Sequence, residues 1–245
     1  MRLLLDLGNT RLKWAITDAH GRMNAMQALV ASDAPACWHA LLDDLSTHAI
    51  SHIALSSVAG ARTQMLMRVL HQHLPDAAIL QARSQAHCAG VTSGYLAPET
   101  LGVDRFLALL GAHGQAANTQ VIAMLGTALT IDVLHASGQH LGGLIAPGPS
   151  LMQTSLHQST AHLPLADGQK NALGRCTADA ISAGCYRACA ALIESVLSDF
   201  PGATLLLSGG AAAPVAALIK QPARILPELV LIGLQKYAHT VELTA

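Results

Sequence analysis

Charge is scarce in this chain. Only 12% of its 245 residues are Asp, Glu, Lys or Arg, and the net charge is −1. That is about half the usual charged share. Such a balance offers no electrostatic case for nucleic acid or an anionic membrane surface as partner. With 51% hydrophobic residues, it predicts apolar surface covered by a further subunit. Cysteine is sparse as well. The five present (Cys37, Cys88, Cys176, Cys185, Cys189) include no Cys-x-x-Cys pair and no zinc spacing, and their odd number fits reduced thiols. Asp6 interrupts the N-terminal apolar run too early for a secretory signal. Two stretches lack formal charge, Val133 to Ala166 and Phe200 to Ile219, but glycine, proline and polar residues break both, which excludes them as membrane spans. Gly-x-x-x-x-Gly-Lys-[Ser/Thr] and Gly-x-Ser-x-Gly are absent, which argues against a P-loop kinase and a nucleophile elbow. The 13 histidines form no recognisable ligand set. These absences predict a soluble, cytoplasmic protein.

What is present is a turn that occurs twice. Asp6-Leu7-Gly8-Asn9-Thr10 follows the apolar run Leu3 to Leu5, and Met124-Leu125-Gly126-Thr127-Ala128 follows Val121 to Ala123. Each reads as a strand, a glycine turn and a second strand. Glycine permits a tight turn and a close backbone approach to a ligand, and successive N–H groups in such a turn suit phosphate oxygens. One turn per half predicts two lobes holding one polyphosphate.

The surrounding pattern agrees. Strands are expected at Met1 to Leu7, Leu12 to Thr17 and Arg22 to Ala31, then a helix from Ser32-x-Ala-Pro35 to Thr47, a strand at Ile53 to Val58, a helix at Arg62 to His73 and a strand at Ala78 to Ala82. Arg83 to Leu101 shows no periodicity and reads as an ordered loop before a helix opening at Gly102-Val103-Asp104-Arg105. A second meander follows (Val121 to Leu125, Thr130 to His135, His140 to Ile145), then a helix from Thr177 to Leu197, a strand at Thr204 to Leu207, a helix at Ala211 to Ile219, a strand at Ala223 to Leu226 and a helix at Leu229 to Thr240. The order β-β-β-α-β-α-β recurs once in each half. This is the organisation of an α/β, duplicated ribonuclease-H-like (actin-like ATPase) fold, with nucleotide in the cleft between lobes 1–117 and 118–245.

Several residues suit chemistry in that frame. Asp6 ends a strand at the first turn, where a carboxylate serves to hold Mg²⁺ directly or through water. Asn9 and Thr10 add side-chain donors, and Lys13 is the nearest cation. A surface hairpin with a stabilising Asp-x-Gly-Asn turn is the plain alternative. Asp104 and Arg105 are adjacent charges in an apolar neighbourhood, costly unless paired or used. The carboxylate can take a proton from a substrate hydroxyl and the guanidinium can bind an anionic group; equally, Asp104 could cap its own helix. Leu141 to Pro149 is a glycine and proline loop that either walls a ligand or turns into a helix. Ser208-Gly209-Gly210 closes a strand where a base or phosphates could sit.

Asp6-Leu-Gly-Asn-Thr10, Tyr95-x-x-Pro98-x-x-Leu101-Gly-Val-Asp-Arg105, Gly126-Thr-Ala-x-Thr-Ile-Asp132, Gly142-Gly-x-Ile-x-Pro-Gly148 and Ser208-Gly-Gly210 occur in one order along the chain. Together they resemble the type III pantothenate kinases. The resemblance implies ATP-dependent phosphorylation of pantothenate, the first step towards coenzyme A, by a cytoplasmic homodimer. It assigns ATP phosphates to Asp6, Leu7, Gly8, Asn9, Thr10, Arg11, Leu12, Lys13, Gly126 and Thr127. The pantothenate pocket falls to Tyr95, Gly102, Val103, Asp104 and Arg105, with Thr177 reaching in from a partner subunit. Asp104 is implied as the general base. The family places an Asp, ligand to potassium or ammonium, where this chain has Met124. A thioether is no substitute for a carboxylate toward a hard cation, so weak or absent potassium dependence is expected. The competing readings are another small-molecule kinase of the superfamily, or a non-catalytic nucleotide-binding regulator, which Met124 favours and Asp6, Asp104 and Arg105 oppose.

Overall fold

A computed structural model describes residues 1–32, 38–160, 162–165 and 167–244. The chain divides into two compact units, Met1–Gly111 with Glu228–Ala245, and Ala112–Pro227. The sequence boundary near residue 117 lies close to this first division, while the last helix counts with the first unit.

The first unit is built on a five-stranded sheet of order β3-β2-β1-β4-β5, formed by β1 (Arg2–Leu7), β2 (Arg11–Thr17), β3 (Gln27–Val30), β4 (His52–Ser57) and β5 (Ala78–Gln81). β1 runs antiparallel to β2 and parallel to β4. It is central, and Leu3, Leu4 and Leu5 are all fully buried, so the strand reads as a continuous apolar run. Alternation sends Leu3, Leu5 and Leu7 to one face, where they share a core with Trp38, with Leu41 of α1 (His39–Leu45) and with Leu66 and Leu70 of α2 (Gly60–His73). The final helix, α7 (Leu229–Thr244), contacts β1 and β4. It meets α3 (Val103–Ala112) at two glycines: a Cβ on Gly233 would strike the Leu107 carbonyl, and one on Gly111 the Leu229 carbonyl. Lys236 Nζ then donates to the Leu110 carbonyl at 2.9 Å, satisfying an end group of α3.

The second unit repeats the plan. Its sheet has the order β10-β9-β8-β11-β12, from β8 (Gln120–Leu125), β9 (Ala128–Leu134), β10 (His140–Pro147), β11 (Thr204–Ser208) and β12 (Ala223–Ile225). Val121, Ala123, Leu125, Leu205 and Leu207 form its core with Ile193 and Leu197 of α5 (Thr177–Asp199) and Val215 of α6 (Ala212–Ala216). With its 23 residues α5 is long and apolar enough to cross a bilayer by length and composition, but ten of its residues are buried and six of these (Tyr186, Cys189, Ala190, Ile193, Val196 and Leu197) pack in this core. The matching strand orders establish the duplicated ribonuclease-H-like fold.

The start of the expected helix at Ser32–Pro35 lies largely outside the described residues. Three details depart from the sequence reading. β3 is shorter than Arg22 to Ala31 because Asn24 leaves the ladder: its side-chain oxygen accepts the Ile16 N–H at 2.8 Å. The segment 83–101 is not wholly irregular; β6 (His87–Cys88) and β7 (Val91–Thr92) form a small hairpin. Its turn, Ala89-Gly90, has φ of 47° and 82°, the pattern of a type I′ turn in which alanine hides the usual Asn-Gly signal. The stretch Leu141 to Pro149 is not a loop: through Pro147 it is strand β10, and Pro149 then starts α4 (Pro149–Ser159).

Candidate active site

In the first unit the Gly8 N–H donates to the Arg11 carbonyl at 2.9 Å, closing the β1–β2 turn. Three neighbours hold that turn. Val58 N–H donates to the Leu7 carbonyl, Ala31 N–H to the Thr10 carbonyl, and Arg62 of α2 to the Asn9 carbonyl. Neither Gly8 nor Gly126 has positive φ, so their glycines are not required by backbone conformation. A Cβ at Gly8 would come no closer than 3.4 Å to protein atoms, and one at Gly126 no closer than 3.8 Å. The protein itself tolerates a methyl group at both.

Asp6 stands opposite Lys13 in the antiparallel register and opposite Ser56 in the parallel one. Ser56 Oγ donates to Asp6 Oδ1 at 3.1 Å. Burial raises the Asp6 carboxyl from its ordinary 3.8 to about 6; the Lys13 charge opposes the rise, the Asp104 charge adds to it, and the Ser56 hydrogen bond opposes it. Asp6 retains some solvent contact, so it sits in the wall of the unit, within electrostatic reach of a second carboxylate. The structure thereby brings Asp104, distant in sequence, within electrostatic reach of Asp6, which faces Lys13 across the hairpin.

Asp104 lies in the first turn of α3, and its Oδ1 accepts the Arg105 N–H at 2.9 Å. Gly102 makes room for it: a Cβ there would lie 2.8 Å from the same oxygen. Arg105 is only 3% exposed. Its Nη1 donates to the Tyr95 hydroxyl at 2.7 Å, and its guanidinium carbon lies 5.5 Å from the Tyr95 ring centroid. Tyr95, Gly102, Asp104 and Arg105 therefore form one local group, with the guanidinium fixed by the Tyr95 hydroxyl and ring.

In the second unit, the Gly126 N–H donates to the Ala128 carbonyl at 3.0 Å. Two other glycines pack against this turn. Gly148 donates its N–H to the Thr127 carbonyl, and a side chain on it would strike the Gly126 carbonyl. Gly209, at φ 97°, lies against the Leu125 backbone, where a Cβ would clash. Met124 pairs with Thr130 and Ser208, and the buried Thr130 Oγ1 has no hydrogen-bond partner among the described residues. Asp132 is paired with His140 at 3.0 Å, both buried in the sheet.

Thr177 begins α5 and lines an apolar cavity of about 870 Å³ with Pro147, Leu151, Leu156, Ile181 and Cys185. Burial raises the thiol of Cys185, which lines the cavity, and that of Cys189 deeper in α5, the latter to about 11. Among the described residues, no three His, Cys, Asp or Glu side chains gather as a metal cluster. Mg²⁺ needs fewer, since one or two carboxylates with waters and substrate phosphates complete its oxygen shell. Asp6 beside the Asp104 charge fits that requirement. Sequence reasoning overlooked Ser56 and Arg62, which contact the first turn; the signal was two serines, Ser56-Ser57, ending an otherwise apolar strand.

A sequence model of the type III pantothenate kinase family matches residues 2–199. A type III pantothenate kinase from Dechloromonas aromatica (strain RCB) is 39% identical over 251 residues, which cover 97% of this chain and 99% of the relative. Two solved structures share the fold. The activator of 2-hydroxyisocaproyl-CoA dehydratase from Clostridium difficile, with bound ADPNP, aligns at a TM-score of 0.59 and 13% identity, covering 99% of this chain and 96% of its own. A ROK family glucokinase from Streptomyces griseus, in complex with glucose and AMPPNP, aligns at 0.51 and 13% identity, covering 98% and 99%. Such identities speak for architecture alone. The family match and the near-complete 39% relative go further: this chain belongs to the type III pantothenate kinase family.

Proposed function

We propose that the protein transfers the γ-phosphoryl group of ATP to the terminal hydroxyl of pantothenate, yielding 4′-phosphopantothenate and ADP in the first step towards coenzyme A. The observation that supports the residue roles is Asp104 Oδ1 seated against Gly102 and Arg105 N–H, with its charge raising the Asp6 carboxyl, which lies about a hundred residues away on another element. Asp104 accepts the proton of the hydroxyl as its oxygen forms the new bond to phosphorus and ADP leaves. Arg105, held by Tyr95, takes the pantothenate carboxylate, with Gly102 and Val103 shaping the pocket. Asp6, Leu7, Gly8, Asn9, Thr10, Arg11, Leu12 and Lys13 serve the ATP phosphates, as do Gly126 and Thr127. The two glycine turns support this by offering backbone N–H groups without a side chain in the way. Asp6 would hold Mg²⁺ through water; when bound, the ion screens charge on the phosphoryl oxygens.

The protein acts in the cytoplasm as a homodimer. Leu144 and Ile145 of β10 and Leu151 and Leu156 of α4 are exposed apolar side chains. They lie near the groove that contains Thr177 in sequence and element, and this supports a partner subunit on that face. Potassium or ammonium is dispensable, because Met124 cannot replace a carboxylate as ligand. A coupled assay of ADP release tests the activity: release should require pantothenate, and release indifferent to pantothenate would contradict it. Run in sodium-only buffer, the same assay should reach nearly full rate; a steep rise on adding potassium would refute the claim about Met124.

A further inference from the structure

Ser56 is completely buried at the middle of the first sheet, in a strand whose neighbours Ile53, Ala54 and Leu55 are apolar. A hydroxyl in such a place costs free energy unless it is hydrogen-bonded. Its bond goes to a carboxylate: Oγ donates to Asp6 Oδ1 at 3.1 Å. Parallel pairing makes that contact reproducible, because Asp6 and Ser56 occupy the same register position on adjacent strands, β1 and β4. The next residues on β4 and α2 strengthen the same corner. Ser57 Oγ meets Thr63 Oγ1 at 2.6 Å, Val58 N–H donates to the Leu7 carbonyl at 3.2 Å, and Arg62 donates to the Asn9 carbonyl. A second strand and helix thus brace the turn from behind, and Ser56 is the member that touches the functional carboxylate.

We propose that Ser56 is a positioning residue for phosphoryl transfer: its hydroxyl engages Oδ1 of Asp6 and fixes the carboxylate that would hold the Mg²⁺ of Mg·ATP through water. The proposal rests on Asp6 being the carboxylate that holds the ion. Hydrogen-bonding partners of metal-binding carboxylates orient them, and their loss commonly costs 10- to 100-fold in metal affinity. Because Ser56 acts only through Asp6, its effect should disappear once Asp6 is changed.

The test is calorimetric binding of ATP, with Mg²⁺ and with EDTA, to wild type, Ser56→Ala, Asp6→Asn and the double variant. Ser56→Ala should bind Mg·ATP about 10-fold more weakly. It should bind metal-free ATP as wild type does, which also reports an intact fold. The double variant should match Asp6→Asn alone, the non-additivity expected of residues acting as one unit. Wild-type Mg·ATP affinity in Ser56→Ala beside a weakened Asp6→Asn would overturn the role of Ser56 and leave Asp6 standing. Equal weakening with and without metal, or additive losses in the double variant, would also overturn it. Unchanged Mg·ATP affinity in Asp6→Asn would instead remove the underlying reading of Asp6.

Discussion

Gly102 shows how one residue can matter through space alone. Its φ is not in the left-handed region, so alanine suits its backbone, yet the added methyl would press on Asp104 Oδ1. Gly102→Ala should therefore lower kcat by about 10-fold or more by displacing the base, with a melting temperature close to wild type. A kcat equal to wild type would show that the carboxylate has room elsewhere. Asp6 carries the opposite tension. Its folded-state pKa, about 6, lies above its ordinary 3.8, so its contribution to stability is fully present below about pH 4 and is lost as pH rises through 6. The unliganded protein thus bears an ionised, partly buried carboxylate at pH 8, worth at most about 3 kcal/mol on the usual conversion and less given its solvent contact. Asp6→Asn should raise the melting temperature at pH 8 more than at pH 4 while weakening Mg·ATP binding. An equal change at both pH values would contradict the assignment.

At the scale of elements, the glycines divide into two kinds. Gly111 and Gly233 let α3 and α7 approach backbone to backbone, and a side chain on either would strike a main-chain carbonyl. Gly233→Ala should cost about 1–3 kcal/mol by overpacking, measured by chemical denaturation, and should disturb catalysis through α3, which carries Asp104. Stability equal to wild type would mean the helices separate without penalty. The order of elements along the chain and the two glycine turns were legible in the sequence because apolar runs and turn residues alternate with little ambiguity. The β6–β7 hairpin was not, since Ala89 occupies a positive-φ position that alanine rarely adopts. The pairing of Ser56 with Asp6 was equally invisible, because parallel register depends on tertiary packing rather than on local pattern.

For the whole molecule, the scarcity of charge pointed to a covered face, and the exposed Leu144, Ile145, Leu151 and Leu156 lie on two adjacent elements of the second unit. Ile145→Asp should shift the protein from dimer to monomer by sedimentation, with loss of pantothenate affinity if Thr177 serves the partner's site; a variant that stays dimeric would move the interface elsewhere. Five ordered motifs made the family legible because they span both repeats, whereas the assignment of α7 to the first unit required coordinates, as nothing in its sequence names the sheet it covers. Asp104, whose charge raises the Asp6 carboxyl, is the proposed base of the transfer. The single-turnover rate of Asp104→Asn at saturating Mg·ATP and pantothenate tests it most directly. That rate should be lower by about 100-fold or more with both ligands still bound; a rate equal to wild type would rule Asp104 out as the base.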